Sequence, residues 1–273
     1  MLVIDDLAEA ELNRDSVLTI GAFDGVHRGH QHLIHQLVER ARCTHRLAGL
    51  ITFHPHPSVV LAGRNPAKYI TTPGEKAALL ERLGLDIVAI LSFSREVAQV
   101  SAWDFIQMVH HHLRMIELWV GADFALGRNR EGDVRALQEM SERLGFKVQV
   151  VEPVVWQGEI ISSTRIRSLL RKGRVREAAC LLNRYPSLVG EVVRGTQRGR
   201  CIGFPTANLE VRAERAVPAD GVYAVYVLLG EERYPGVANI GVRPSFDNGE
   251  RTVETHILDF QGDIYGCDVV VEF

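Results

Sequence analysis

Cysteine is scarce in this chain, and the few present are scattered. Among 273 residues there are four cysteines, Cys43, Cys180, Cys201 and Cys267, too far apart to form a C-x-x-C pair or to share a cluster of histidines. That pattern supports neither a zinc site nor a disulfide framework, and it fits a reducing cytoplasm, where the protein is expected to work. An excess of positive charge is also missing: 31 Lys and Arg stand against 34 Asp and Glu, for a formal net charge of −3. No basic footprint for nucleic acid follows, and nucleic acid is not expected as a partner. No apolar run reaches the length of a membrane span, and Met1 to Asp15 carries acids where a secretory leader would carry lysines and an apolar block. No membrane partner is expected either. Internal repeats and low-complexity segments are lacking too. What is present is an ordinary globular composition, 46% hydrophobic and 24% charged, with enough length for two compact cores.

Two textures divide the chain. Short apolar, β-rich segments at 17–21, 48–53, 87–91, 117–121 and 147–151 alternate with helical patterns, which predicts an α/β fold with a doubly wound parallel sheet of Rossmann type. Leu33, Ile34, Leu37, Val38 and Ala41 make one helical stripe, Val134, Leu137, Met140 and Leu144 another, and Ala78, Leu79, Arg82 and Leu83 a less regular one. Helical stretches at 163–170 and 175–182 follow, ending near Tyr185-Pro186, where proline disfavours helix at the residue before it. The boundary is placed there, giving domains 1–184 and 185–273. Beyond it, β segments at 188–194, 222–229, 234–241, 252–260 and 268–273, separated by Gly, Pro and Asp-Asn-Gly turns, predict a small antiparallel β-barrel.

The segment Gly21-Ala22-Phe23-Asp24-Gly25-Val26-His27-Arg28-Gly29-His30 directly follows the first strand of this alternating region and leads into a helix. Glycines at 21, 25 and 29 allow backbone to approach a ligand, and a helix N-terminus offers unpaired N–H groups and a positive dipole end to an anion. His27 and His30 can donate hydrogen bonds to phosphoryl oxygens, a combination suited to charge that develops during transfer at phosphate. The plainer reading is a strand-to-helix turn with surface histidines.

Ser162-Ser163-Thr164-Arg165-Ile166-Arg167 puts hydroxyls and arginines at another helix start, either as N-caps and solvated charges or as a second phosphate clamp. Phe53-His54-Pro55-His56-Pro57 follows the second strand as a stiffened segment that can shape a pocket wall; no acid or cysteine lies close enough in sequence to make a metal site of its histidines. His110-His111-His112 reads as the solvated end of a helix. Asp123, just after a strand, offers a carboxylate at the same sheet edge as His27. In the second half, Gly203-Phe204-Pro205-Thr206-Ala207-Asn208 joins a close-approach glycine to hard oxygen donors, Thr206 and Asn208, suited to Mg²⁺ bound with nucleotide phosphates; an Asn/Thr turn fits the same residues. Glu254, on an alternating strand, can act as general base toward an alcohol or simply face solvent.

Taken in order, F-D-G-V-H-x-G-H at 23–30, F-x-P-H-P at 53–57, G-x-D-F at 121–124, S-S-T-R-I-R at 162–167, G-F-P-T-A-N at 203–208, G-V-Y-A at 221–224 and G-V-A-N-I-G-V-R-P at 236–244 closely resemble the bacterial bifunctional riboflavin kinase/FAD synthetase family. The resemblance implies a nucleotidyltransferase-like domain that adenylylates FMN with ATP, giving FAD and pyrophosphate, and a barrel that phosphorylates riboflavin to FMN. It implies His27, His30 and Arg167 as catalytic groups of the first reaction and Glu254 as the base of the second. Gly21, Phe23, Asp24, Gly25, Gly29, Pro57, Asp123, Ser163 and Thr164 would line the first site, and Gly203, Pro205, Thr206 and Asn208 the second, with Thr206 and Asn208 holding Mg²⁺. ATP, riboflavin and FMN would be the small-molecule partners.

Two departures from the family pattern stand out. Ala125-Leu126 follow G-x-D-F where an aromatic is usual. Members also continue past the equivalent of Phe273 into a segment ending in a helix that encloses the flavin, so the barrel is expected to lack that helix and its kinase activity to be weaker than the synthetase activity. The competing readings are a nucleotidyltransferase for another phosphorylated cofactor precursor, and a flavin- or nucleotide-binding sensor without turnover.

Overall fold

A computed structural model describes residues 1–61, 68–194, 205–242 and 251–273. These residues group into two compact units. One holds the parallel sheet and its helices up to Ser162; the other holds Ser163–Phe273 together with Lys68–Ile70.

In the first unit, β1 (Leu2–Ile4), β2 (Ser16–Ile20), β3 (Leu47–His54), β4 (Ile87–Ser92), β5 (Met115–Gly121) and a later strand, Lys147–Val151, form one sheet. Every pairing in it is parallel. Helices α1 (Arg28–Cys43), α2 (Pro57–Leu61), α3 (Pro73–Arg82), α4 (Ala102–His112) and α5 (Val134–Leu144) connect the strands. Two short strands, β6 (Ala125–Leu126) and β7 (Gly132–Asp133), pair after β5, and β8 is Lys147–Val151. The order across the sheet is β1-β4-β3-β2-β5-β8.

Neighbouring residues of each strand feed opposite cores, as a sheet covered on both faces requires. Leu18, Ile51 and Leu118 pack with Phe105, Ile106 and Val109 of α4 and Leu137 of α5. Val17, Leu50 and Val88 pack with the Leu33–Ala41 stripe of α1 and Leu80 of α3. The doubly wound prediction is met. Helix α1 is also tied to β5 by Arg40, whose Nη2 lies 2.7 Å from Glu117 Oε1, with Arg46 joining at 3.0 Å. Burial pushes the Glu117 carboxyl up, but its bonds to Arg40 and Trp119 and the charge of both arginines leave it net below the usual carboxylate range.

Two elements of this unit differ from expectation. Strand β1 is too short for periodicity to reveal, yet it completes the sheet edge against β4. The α3 stripe is shifted: Ala78 and Arg82 are exposed, and the buried positions are Lys76 and Leu80, four residues apart and therefore on one face. Leu126, in the segment where the family usually carries an aromatic, packs against the sheet core.

In the second unit, α6 (Ser163–Arg171) and α7 (Val175–Leu182) precede six strands, after a small hairpin of β9 (Val155–Trp156) and β10 (Glu159–Ile160) that closes the first unit. Strands β11 (Ser187–Val193), β12 (Ala207–Glu210), β13 (Gly221–Leu229), β14 (Glu232–Val242), β15 (Arg251–Ile257) and β16 (Asp268–Glu272) close into a barrel in the order β11-β12-β15-β14-β13-β16. Its interior is Leu188, Val192, Leu209, Val225, Val227, Ala238, Ile240, Val253, Ile257, Val269 and Val271, the inward half of each alternating strand, with Val175 of α7 packed against them. Strand β12 takes in Ala207 and Asn208, so the alternative reading of 203–208 as a turn does not hold for these two residues. Behind Gly-Phe-Pro it spans only four residues, and its pairing with β11 and β15 is a tertiary event. By packing, α6 and α7 group with the barrel rather than with the sheet.

Candidate active sites

The chain runs outward from β2 to β3 and β4 on one side, then crosses to β5 on the other. This reversal opens a crevice at the carboxyl ends of β2 and β5, where ligands gather in open sheets. The 21–30 loop leaves β2 there, and Asp123 lies exposed just past β5.

The loop is tightly held. Phe23 and Val26 adopt φ of +47° and +39°, a region costly for side chains and most so for a β-branched one, and Gly25 sits at +81°. Burial and hydrogen bonds keep them in place. Phe23 and Val26 are core residues, and Asp24 Oδ1 accepts from the Thr71 N–H and hydroxyl at 3.1 and 3.2 Å. Thr71 Oγ1 accepts from Gly25 N at 3.1 Å, and Gln31 Nε2 donates to Val26 O at 2.8 Å. Gly21 continues the strand by donating to Ile51 O at 2.9 Å. Asp24 and Phe23 thus sit beneath the loop, shaping it.

His27 caps α1: its Nδ1 accepts from His30 N at 3.3 Å. That bond leaves Nε2 to carry the ring proton and act as donor. The rings of His27 and His30 stack with centroids 3.6 Å apart and planes 16° apart, and Phe23 tilts against His30 at 4.7 Å. A side chain at Gly29 would meet the His27 ring at 3.2 Å, so glycine keeps the helix entrance open beside it. Burial, then the charge of His27 and of Lys76, holds His30 well below the usual histidine range. His30 is therefore neutral at pH 7, and its Nδ1 is buried with no partner among the described residues. The first N–H groups of α1 have no intrahelical acceptor and carry the positive end of the dipole.

Asp123 lines an open cavity of about 550 Å³ with Ala122, Phe124, Arg130, Val134 and Gln138 among others. Pro57 starts α2, with two residues between it and the end of β3. His56 turns back on its own segment, with Nδ1 3.0 Å from Ser58 N. Ser163 and Thr164 open α6, and Arg167, one turn on, donates from Nε to Lys68 O at 2.8 Å; all belong to the second unit.

On the barrel, Val253, Thr255 and Ile257 point inward, so Glu254 faces out. Its direct partner across β12 is Asn208, and across β14 it is Asn239. Thr206 immediately precedes β12, and Pro205 O lies 2.8 Å from His256 Nδ1, two residues from Glu254 on the same face. The sequence reading named Asn208 and Glu254 but not their pairing, and it missed Asn239 and Lys76. Gly203 lies outside the described residues.

Two phosphate-suited sites, one at a sheet's switch point and one on a separate barrel, mark an enzyme that handles nucleotides twice, a transferase. Comparison with known proteins sharpens this. Residues 9–165 match the family model for FAD synthetase and residues 182–273 that for riboflavin kinase. The chain is 40% identical over 257 residues to the bifunctional riboflavin kinase/FMN adenylyltransferase of Escherichia coli K12, covering 93% of this chain and 82% of that one. It is 35% identical over 263 residues to the enzyme of the same description from Bacillus subtilis, covering 94% and 83%. A crystal structure described as a macrolide-efflux protein from Streptococcus pneumoniae superposes with a TM-score of 0.91 at 33% identity, over 99% of this chain and 88% of that one. The chain belongs to the bifunctional riboflavin kinase/FMN adenylyltransferase family. Among its described residues, no helix is long and apolar enough to cross a membrane.

Proposed function

We propose that the chain's two activities, phosphorylation of riboflavin to FMN and adenylylation of FMN to FAD, divide between residues 185–273 and residues 1–184. The second of these domains takes in α6 for the sake of its S-S-T-R motif. The observation that carries the adenylylation assignment is the stacked His27–His30 pair at the N-terminus of α1, in the switch-point crevice.

In adenylyl transfer the FMN phosphate is already anionic and attacks the α-phosphorus of ATP, forming the new P–O bond as the bond to pyrophosphate breaks. No protein nucleophile is required, so positioning and charge stabilisation supply the rate. The N–H groups opening α1 and the ring donors of His27 and His30 receive the phosphates. Gly21, Gly25 and Gly29 let the backbone lie against them. Ser163, Thr164 and Arg167, at the start of α6, offer hydroxyls and a guanidinium that suit phosphate oxygens. Asp123 and Pro57 help fix nucleotide or flavin at the crevice.

In the kinase, Glu254 takes the proton from the ribityl hydroxyl that attacks the γ-phosphorus of ATP, and ADP leaves as the bond from that phosphorus to the bridging oxygen breaks. Pro205, Thr206 and Asn208 hold the nucleotide's phosphate end. Thr206 and Asn208 offer neutral hard oxygens next to a carboxylate, a donor set that fits Mg²⁺. The ion would neutralise phosphate oxygens there. The riboflavin kinase match over the barrel favours this scheme over an adenylyltransferase for another precursor. The enzyme works in the cytoplasm, where its cysteines stay reduced.

The test supplies purified protein with FMN, ATP and Mg²⁺ and separates the flavins chromatographically. FAD should form, and His30→Ala should slow it by about 10²-fold, the usual effect of removing a donor to developing phosphate charge. Riboflavin phosphorylation by the same variant should be unchanged. Undiminished FAD synthesis would remove the role given to the loop.

A further inference from the structure

Lys76 is a lysine where helix packing calls for an apolar residue. It lies on the buried face of α3 one turn before Leu80, with only 8% of its surface exposed. Lysine at such a depth is held by specific partners. Its Nζ donates to Ala22 O at 2.7 Å and to Thr52 Oγ1 at 3.1 Å, while Thr52 Oγ1 itself donates to Ala22 O at 3.0 Å. Ala22 lies with Gly21 between the end of β2 and the strained turn at Phe23. One peptide carbonyl at the root of the anion loop is thus gripped by a buried cation and a strand hydroxyl.

We propose that Lys76 is a positioning residue for adenylyl transfer, its ammonium fixing the Ala22 peptide and through it the course of the 21–30 loop against the phosphates. This rests on reading that loop as the adenylylation site. The charged and titratable groups around Lys76 are Asp24, the loop carboxylate whose charge favours the ammonium, and His30, whose protonation the ammonium opposes. Glu75, next to Lys76 on α3, is turned away into the capping box with Thr72. A misplaced loop costs rate even when its donors survive, because misplacement by about 1 Å can lower a rate by about 10²-fold. The position also carries a pH signature. Burial pushes the Lys76 ammonium down to about 8 against the opposing pull of Asp24, so the grip loosens within an accessible alkaline range.

Lys76→Met keeps most of the length and the apolar bulk of the side chain and removes the charge. The experiment measures FAD synthesis from FMN and ATP between pH 6.5 and 9.5, together with riboflavin phosphorylation and thermal unfolding, in wild type, Lys76→Met and His30→Ala. FAD synthesis in Lys76→Met should fall by about tenfold or more at pH 7, while riboflavin phosphorylation stays at the wild-type level. The alkaline fall of the wild-type rate near pH 8 should be absent from the variant's residual activity. Wild-type FAD synthesis by Lys76→Met, or a rate lost only in proportion to a lowered unfolding temperature, would overturn the proposal. If Lys76→Met does not fold, the wild-type profile decides: no alkaline fall between pH 7.5 and 9 overturns it. An unaffected His30→Ala would instead remove the site reading itself.

Discussion

Replacing His27 separates the two jobs its ring performs. In His27→Ala the helix loses its N-cap, the bond from His30 N to Nδ1 at 3.3 Å, and His30 loses the ring stacked at 3.6 Å. Capping contributes about 0.5–2 kcal/mol and an aromatic contact about 0.5–1.5 kcal/mol, so the variant should lie about 1–3.5 kcal/mol below wild type. His27→Asn keeps an acceptor near the Nδ1 position but not the stacked ring, so it should lie about 1 kcal/mol below. Both changes remove the His27 ring, whose protonation opposes that of His30 and is the second-largest influence holding it down. The His30 ring should therefore titrate higher in both than in wild type. FAD synthesis should fall by about 10²-fold in both, because each lacks the Nε2 donor. Urea unfolding gives the stabilities, ring-proton NMR the titration and flavin chromatography the rates. Equal stability of the alanine and asparagine variants would refute the capping argument. An unmoved His30 titration would refute the claimed coupling of the two rings.

Two further outcomes follow from the same geometry. Glu254→Gln keeps the side-chain shape opposite Asn208 and removes the base, so riboflavin phosphorylation should fall by roughly 10²-fold or more with FAD synthesis intact; loss of both activities would show that the residue serves folding instead. Because burial first, then His27 and Lys76, hold the folded His30 below its unfolded value near 6.5, the unfolded chain binds more protons below that pH. Stability should thus be full above about pH 6.5 and fall as the pH drops through it. His30→Gln should flatten that part of the stability curve, and urea midpoints from pH 7.5 to 5 that stay parallel in the two proteins would contradict this.

Much of the architecture was legible in the sequence because burial imposes periodicity. Strands covered on both faces are buried along their whole length, as β2 is from Ser16 to Ile20, and the α1 stripe from Leu33 to Ala41 must recur every three or four residues to meet them. The motif residues, too, were visible: glycines, histidines and a carboxylate in an order that composition alone does not produce. Short elements escaped. Strand β1 has three residues and β12 four, and neither carries a pattern that its sequence neighbours could distinguish from a turn.

The sequence by itself determined the two textures, the doubly wound sheet, the barrel and the residues with chemistry to offer. Only the tertiary structure decided how those residues meet. That Glu254 stands opposite Asn208 is a matter of strand register across 46 positions of chain, set by closing the barrel. That Asp24 turns under the loop to Thr71, and that Lys76 reaches Ala22 instead of solvent, depends on where α3 docks. A lysine in a helical sequence reads as a solvated charge, since local spacing carries no information about what lies above a helix face. The pairing of a charge with its partner is decided by packing between segments distant in sequence.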